Sequence, residues 1–242
     1  MSQTNRYLIV GDSGSGKTVL AAELVRALQR ARAFRNLVVL SADTADESAL
    51  SVLCRQHDEV TDELARAQLD LGAYLRRHGP AGAYLEVTAQ GDARARFLAA
   101  IGAAVMGEGD TLVVVDEAQE IADRAAPLEF LNLWTRGRKR QVTVVAITQS
   151  IKQRPTMGVS PTVLNRSSVL VALSISDPTG HEHAQLSHLA PRLSEHLPRL
   201  RSPIDGGPPE YAVAHLPTGR ALVNLRGGEL DLSPSSPKGV SA

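Results

Sequence analysis

The sequence has little of what marks secreted, membrane-spanning or zinc-binding proteins. Its 242 residues include one cysteine, Cys54, which excludes an intramolecular disulfide and a zinc site built from cysteines. No stretch approaches the roughly 18 consecutive apolar residues of a membrane span, and the polar first residues lack the apolar region of a signal peptide. We therefore expect a cytoplasmic protein with no membrane span.

Aromatic residues and net charge are also scarce. Phe, Trp and Tyr make up 3% of the chain and hydrophobic residues 43%, so the core has to be built from Ala, Val, Leu and Ile. Lys plus Arg number 26 and Asp plus Glu number 26, which gives a formal net charge of zero. Such a chain does not coat nucleic acid or an anionic membrane through bulk charge, although the sequence still allows binding through a local basic patch.

Short apolar runs rich in Val, Leu and Ile alternate with helical patterns. The runs lie at Tyr7–Val10, Leu37–Leu40, Leu112–Val115, Val142–Ile147 and Val169–Ile175, with a further candidate at Ala83–Thr88. The helical patterns lie at Thr18–Phe34, Thr61–His78, Ala93–Met106 and Pro127–Gly137. Because the apolar runs are continuous, they are typical of strands covered on both faces. The sequence therefore predicts a three-layer α/β fold with a mainly parallel central sheet.

The C-terminal part of the sequence has a different pattern. Tyr211–Leu216 and Arg220–Leu225 alternate between apolar and polar residues on either side of Pro217-Thr218-Gly219, which predicts a β-hairpin. The last ten residues are rich in Ser and Pro. We expect a single domain at 1–226, with a core at 6–180, an extension carrying the hairpin at 181–226, and a flexible tail at 227–242.

The clearest motif is a phosphate-binding loop. Gly11-Asp12-Ser13-Gly14-Ser15-Gly16-Lys17-Thr18 matches G-x-x-x-x-G-K-[ST] in full and stands between a predicted strand and a predicted helix. The glycines let the backbone turn its N–H groups toward phosphates, and the helix N-terminus adds partial positive charge. We expect Lys17 to neutralise the β- and γ-phosphates and Thr18 to place its hydroxyl on Mg²⁺. No motif specifies the base of the nucleotide.

Polar residues follow two further predicted strands. Asp116 and Glu117 end one of them, at the sheet edge where ligands of α/β proteins bind. We expect Asp116 to hold Mg²⁺ through water and Glu117 to polarise the attacking water, although an acidic pair can also simply cap a helix. Thr148 and Gln149 end the next strand. Gln149 is predicted to bond the γ-phosphate or the water, or else only to cap the strand end.

These motifs occur in an order that resembles one superfamily. The phosphate loop, the Asp116-Glu117 strand end and the later Thr148-Gln149 pair are similar to the FtsK–HerA superfamily of ring-forming, DNA-pumping ATPases, over about residues 6–180. The basic stretch Arg136-Gly137-Arg138-Lys139-Arg140 lies where that superfamily has a basic residue, and Arg138 aligns best. The compact chain looks most like viral genome-packaging ATPases. Asp116-Glu117-Ala118-Gln119 also resembles phage-assembly ATPases of the zonula-occludens-toxin type.

The resemblance implies a RecA-like P-loop fold and an Mg²⁺-dependent ATPase. It further implies a homo-oligomeric ring, with a hexamer favoured, that acts on double-stranded DNA. A portal or another assembly protein would be a further partner. If the protein is viral, its location would be the host cytoplasm. Two other functions stay open. One is an assembly or secretion ATPase, or a nucleotide switch, that acts on a protein. The other is a small-molecule kinase, against which the Asp-Glu pair argues.

The basic stretch around Arg138 has three interpretations. In a ring, Arg138 would stabilise charge on a neighbouring subunit's γ-phosphate. The stretch would alternatively contact DNA phosphates, or form the solvated end of a helix. Arg124, Arg154 and Arg166 are other candidates for an arginine that acts on a neighbour.

Three further segments have open roles. Lys152-Gln153-Arg154-Pro155 follows Gln149 and is either a DNA-facing loop or an ordinary polar one. A helical insertion at 44–80 is either a specialised surface or plain packing. His181, His183 and His188 have the spacing H-x-H-x4-H, which suits a metal site but also a polar surface or helix capping.

Overall fold

The structure of the protein is a computed structural model with one large sheet at its centre. It describes residues 5–42, 48–67, 69–151, 158–176, 180–203, 208–225 and 228–232. The strands are β1 (Arg6–Val10), β2 (Asn36–Ser41), β3 (Gln56–Val60), β4 (Ala83–Val87), β5 (Thr111–Asp116), β6 (Thr143–Thr148), β7 (Val169–Ala172), β8 (Tyr211–His215), β9 (Arg220–Leu225) and β10 (Gly228–Asp231). They form a single ten-stranded sheet in the order β10-β9-β8-β7-β1-β6-β5-β2-β4-β3.

Helices cover the two faces of this sheet. They are α1 (Lys17–Arg30), α2 (Asp62–Arg66), α3 (Leu71–His78), α4 (Gly91–Glu108), α5 (Ala118–Ile121), α6 (Leu128–Thr135), α7 (Pro161–Arg166) and α8 (His181–Leu189). Short 3₁₀ turns lie at Ser51–Leu53, Gly79–Ala81, Gly137–Arg140, Pro191–Leu193 and Leu197–Arg199. In the described part of the chain, no helix combines the length and the apolar character needed to cross a bilayer.

Seven neighbouring strands of the sheet pair in parallel, in the order β7, β1, β6, β5, β2, β4 and β3. Strands β8, β9 and β10 continue the sheet beyond β7 with antiparallel pairing. Every residue of β2, β5 and β6 is buried, as their continuous apolar runs predict. One apolar cluster fills the face under α3, α4 and α6, and a second lies under α1. The predicted three-layer, mainly parallel α/β fold with its C-terminal hairpin is thus confirmed.

The predicted helical insertion at 44–80 is wrong in part. Its described residues include strand β3, whose polar residues pair with β4 at one edge of the sheet. The pattern at Thr61–His78 forms two helices rather than one, because the backbone is extended at Ala67 and the side chain of Asp70 accepts a hydrogen bond from Ala73 N to start α3. A polar edge strand carries no continuous apolar run, so the sequence did not reveal it.

The segment expected to be a flexible tail at 227–242 includes the strand β10. Strand β10 pairs antiparallel with β9, with Leu230 opposite Val223. All its residues are exposed, so it is held by backbone hydrogen bonds, and its side-chain pattern gives no signal. The Ser- and Pro-rich residues 233–242 lie outside the described part of the chain.

Helices α4 and α6 approach each other closely at Gly102. A Cβ on Gly102 would lie 2.7 Å from Phe130 Cα, whereas among the described residues nothing lies within 4 Å of the Cβ position of Gly107 in the same helix. We expect Gly102→Ala to lower the free energy of unfolding by about 1–3 kcal/mol through overpacking. Gly107→Ala is expected to raise it by up to about 1 kcal/mol through helix propensity. Chemical denaturation measures both, and equal effects would contradict this packing.

Candidate functional site

The phosphate-loop motif joins the carboxyl end of β1 to α1. Gly11 N donates to Thr148 O at 3.4 Å and Asp12 N donates to Ser174 O at 2.9 Å, so the loop is fixed to the ends of the neighbouring strands β6 and β7. The Asp12 carboxylate also accepts hydrogen bonds from the backbone N and the hydroxyl of Ser176. These contacts hold the loop at the carboxyl edge of the parallel strands, where α/β proteins bind their ligands.

Glycine is required at specific points of this loop. Gly14 and Gly16 have φ of 73° and 89°, which strain any other residue. A Cβ on Gly11 would lie 2.7 Å from Ser15 Oγ and 2.9 Å from Leu173 Cβ. Ser13 and Gly14 form the exposed tip, and the backbone of Gly16 leads directly into α1. The loop is therefore a compact turn at the N-terminus of a 14-residue helix.

Lys17 begins α1 and lies folded over the loop. Its Nζ donates to Asp12 O at 2.6 Å, and its side chain is buried. Burial lowers the pKa of the Lys17 ammonium from its ordinary value. The charges of Glu117 and Asp116 act in the opposite direction and raise this pKa, as does that of Asp12 to a lesser degree. The loop lysine and the acidic pair thus lie within electrostatic reach of one another.

Asp116 and Glu117 lie at the end of β5, two strands away from β1. Asp116 is buried, and its Oδ1 accepts a hydrogen bond from Glu117 N at 3.1 Å. Glu117 is half-buried with φ 51° and ψ 51°, a left-handed backbone that non-glycine residues rarely adopt. This turn ends the strand and leaves Asp116 buried and Glu117 half-buried.

Gln149, which follows β6, lies between the phosphate loop and the acidic pair. Its Nε2 donates to Glu117 Oε1 at 2.7 Å. Gln119 donates its Nε2 to the other oxygen of the same carboxylate, and its Oε1 accepts from Thr148 Oγ1 at 2.6 Å. Gln119 belongs to the motif Asp116-Glu117-Ala118-Gln119, in which the sequence alone indicates no role for it. Its amide joins the ends of β5 and β6, a connection that depends on strand order.

Arg138 lies at the opposite edge of the sheet from the phosphate loop. It stands in the 3₁₀ turn before β6, while the loop follows the carboxyl end of β1, which pairs in parallel with β6. A strand rises about 3.3 Å per residue, so the six residues of β6 separate the two by roughly 20 Å. Arg138 is exposed, and among the described residues its side chain forms no hydrogen bond or ion pair. It does not reach the loop of its own chain.

Two more arginines share this amino edge. Arg166 ends α7 just before β7, and Arg6 is the first residue of β1. Together with Arg138 before β6, these arginines lie at the starts of three adjacent strands. Arg6 Nη1 donates to Trp134 O at 2.7 Å, and its buried Nε has no hydrogen-bond partner among the described residues. Burial lowers the pKa of Arg6, and the charges of Arg138 and Arg166 lower it further. No pattern in the sequence indicates Arg6, because only the sheet order places it here.

The other basic candidates have different positions. Arg140 Nε and Nη2 donate to the carbonyls of Met106 and Gly107 at 2.8 and 2.6 Å, which satisfies the end of α4. Arg124 follows α5 and is engaged in an interaction of its own. Lys152-Gln153-Arg154-Pro155 lies outside the described residues. Of the described arginines predicted to act on a neighbour, Arg138 and Arg166 are exposed at the amino edge.

A comparison of sequence families identifies the type of domain that carries this site. The sequence profile described as an AAA domain matches residues 2–154, which contain the phosphate loop, the acidic pair and Gln149. The chain belongs to the AAA domain family. No curated protein matches its sequence. The predicted membership of the P-loop ATPases is therefore confirmed.

Solved structures share the fold of this AAA domain. The genome packaging NTPase B204 from Sulfolobus turreted icosahedral virus 2, in complex with AMP, has a TM-score of 0.65 at 12% identity, covering 92% of this chain and 98% of that one. Its complex with AMPPCP gives 0.66 at 12% identity, with 91% and 97% covered. EssC (ATPases 2 and 3) from Geobacillus thermodenitrificans gives 0.50 at 14% identity, with 95% and 39% covered. At these identities the likeness concerns the fold.

The oxygen atoms of the site fit Mg²⁺. Thr18 contributes a half-buried hydroxyl at the start of α1, and Asp116 a buried carboxylate at the end of β5. Mg²⁺ typically binds one or two carboxylates together with the phosphates of a substrate, so a single carboxylate here is suitable. Within the described residues no group of three His, Cys, Asp or Glu side chains forms a metal site.

Among the side chains that the structure describes, the histidines of α8 do not form such a group. His183 Nε2 contacts Ser194 O at 3.2 Å, which connects α8 to the following turn. His188 is five positions further along the helix and points about 140° away from His183. The side chain of His181 lies outside the described part of the chain.

Proposed function

We propose that this AAA domain is an Mg²⁺-dependent ATPase that moves double-stranded DNA as a homo-oligomeric ring of the FtsK–HerA type. The observation that carries the proposal is the division of the site between two edges of the sheet. The phosphate loop, the acidic pair and Gln149 lie at the carboxyl edge, and three arginines lie at the amino edge with no acidic side chain bonded to them among the described residues.

The carboxyl edge has the groups that ATP hydrolysis requires. The backbone of residues 11–18 would cradle the phosphates, with Lys17 on the β- and γ-phosphates. Thr18 would hold Mg²⁺ directly and Asp116 through water, and the ion would supply charge neutralisation on the phosphates. Glu117 would orient and deprotonate the attacking water. ATP would thus bind and react within the part of the chain that the family profile covers.

Gln149 is suited to sense the γ-phosphate. It already bonds Glu117 at 2.7 Å and follows the strand next to β1. A phosphate that engaged the Gln149 amide would release one Glu117 oxygen to hold water, since Gln119 keeps the other. Through this exchange, binding of the γ-phosphate would prepare Glu117 to act as the general base.

The arginine edge supports assembly into a ring. Three guanidinium groups with no bonded acid favour an anion from outside the subunit. A head-to-tail contact between identical subunits would bring this edge to the phosphate loop of the next copy, and repetition would close a ring. Arg138 would then stabilise the γ-phosphate of the neighbour, so hydrolysis would depend on assembly.

The proposed DNA substrate is supported by the likeness of the fold and by exposed basic residues. The similar protein B204 is named as a genome packaging NTPase, and this chain shares its fold over most of both lengths. The net charge of zero means that a few basic residues, such as the exposed Arg136 and Lys139, would have to be repeated around the ring to hold DNA. The same zero charge favours a second candidate, an ATPase that acts on a protein partner.

ATP hydrolysis with and without double-stranded DNA tests these two functions. We expect DNA to stimulate hydrolysis several-fold, with stimulation that falls steeply as salt rises, because phosphate contacts release counterions. The mass measured in ATP and Mg²⁺ is expected to be a multiple of 25.8 kDa, with six copies favoured. Lys17→Ala is the control for contaminating activity. A hydrolysis rate that DNA does not change at any salt concentration would contradict a DNA motor and support an ATPase that acts on a protein.

A further inference from the structure

The strand order indicates on which side of the phosphate loop the nucleoside lies. Glu117 and Gln149 follow β5 and β6, which lie on one side of β1. In the proposed function, these residues face the γ-phosphate. The α-phosphate and the nucleoside therefore leave the loop on the other side of β1, above the ends of β7 and β8. This step rests on the proposed function, because it takes the triphosphate to lie along the loop.

Two prolines from the C-terminal extension lie against the loop on this side. A Cβ on Gly16 would lie 3.0 Å from Pro209 Cβ and 3.3 Å from Pro203 Cγ. Both prolines are half-buried. The chain near them is fixed by Glu210, a buried carboxylate whose Oε2 accepts from Arg201 N at 2.8 Å. The two proline rings are thus held beside the residue that precedes Lys17.

An aromatic residue follows Pro209 by two positions, a spacing that places both side chains on the same face of extended chain. Tyr211 begins β8, and since Ala212 pairs with Ala172, Tyr211 is level with Leu173 at the carboxyl end of β7. Leu173 in turn contacts the phosphate loop below Gly11. Tyr211 packs at the edge of the apolar cluster under α1 and stays half-buried.

A fourth apolar side chain is exposed nearby. Val19 lies in the first turn of α1, directly after Thr18, and 52% of its surface is exposed. Exposed apolar and aromatic groups beside a phosphate site are what a flat nucleobase stacks on, because stacking removes the surfaces of both from water.

We propose that Pro203, Pro209 and Tyr211 form the wall that receives the nucleoside of the bound nucleotide, with the base stacked on the Tyr211 ring. The extension after residue 181 is then part of the nucleotide site. The wall adds affinity for the base and the ribose, whereas the loop binds the phosphates. ATP consequently binds more tightly than inorganic tripolyphosphate, which has the same phosphates and no nucleoside.

Calorimetric titration of ATP and of tripolyphosphate, each with Mg²⁺, tests the wall. Because Tyr211→Ala removes the ring on which the base would stack, it is expected to weaken ATP binding about tenfold. The affinity for tripolyphosphate is expected to stay unchanged. Tyr211→Phe retains the ring and is expected to bind ATP as the wild type does. Pro209→Ala is expected to weaken ATP binding in the same selective way.

Tyr7→Ala is the matched control. Tyr7 is a half-buried tyrosine that packs against the same apolar cluster but at the amino end of β1, so its loss is expected to change neither affinity. If Tyr211→Ala weakened ATP and tripolyphosphate equally, or weakened neither, the wall would be refuted while ATP binding at the loop stood. A wild-type protein that bound neither ligand would overturn the proposed function together with the wall.

Discussion

Replacement of Glu117 by Gln is expected to leave ATP binding intact and to lower turnover about 10²- to 10⁴-fold. The change removes the carboxylate that would accept the proton of the attacking water, and it keeps the size of the side chain. The phosphate loop and Lys17 are unchanged, so nucleotide affinity is expected to stay within about twofold of the wild type. Steady-state hydrolysis and equilibrium ATP binding, measured on the same preparation, separate the two effects.

Glu120→Gln is the matched control for this substitution. Glu120 lies three residues later in α5 and is exposed, and its substitution removes the same charge. Its backbone N donates to Glu117 O at 2.8 Å, a bond that the substitution keeps. Its variant is expected to hydrolyse ATP at the wild-type rate. Turnover that survives Glu117→Gln would remove this residue as the base. Loss of both binding and turnover would instead assign Glu117 to holding the nucleotide.

Replacement of Arg138 by Ala is expected to lower turnover about 10³-fold or more while ATP affinity in the isolated subunit stays unchanged. The reason is the distance: Arg138 lies at the amino edge and does not reach its own phosphate loop. When Arg138→Ala subunits are mixed with Lys17→Ala subunits, some interfaces join an intact loop to an intact arginine. Such mixtures are expected to regain measurable hydrolysis, although each variant alone is inactive.

Lys139→Ala is the control for the arginine prediction. Lys139 is the next residue in the same 3₁₀ turn, and it is exposed and carries the same charge. Its loss is expected to leave turnover close to wild type when hydrolysis is measured without DNA. Mixtures that show no rescue count against action on a neighbour. An equal loss in the lysine variant would indicate a general effect of positive charge at this edge.

Much of the fold could be predicted because its strands are buried on both faces. The continuous runs in β2, β5 and β6 give an unambiguous signal, since each of their residues contacts the core. The strands that sequence missed are the two outer ones. Strand β3 is polar and β10 is wholly exposed, so backbone pairing alone defines them.

The sequence likewise predicts some residues of the candidate site and not others. Residues adjacent in sequence, such as those of the phosphate loop or the acidic pair, form a readable motif. Contacts between distant residues depend on strand order. The bond of Gln119 to Thr148 and the approach of Pro209 to Gly16 join positions that no local pattern connects. The arrangement of Arg6 beside Arg138 belongs to the same class.

The two outer strands restrict how copies of this chain associate. Strand β10 presents Glu229 and Asp231, and β3 at the far side of the sheet presents Glu59. Acidic side chains on an outer strand repel a second strand of the same kind, a common protection against sheet-to-sheet aggregation. Copies are therefore discouraged from fusing their sheets into a continuous ribbon. In the proposed ring, contact between copies would therefore use the strand ends and the helical faces, which include both the phosphate loop and the arginines.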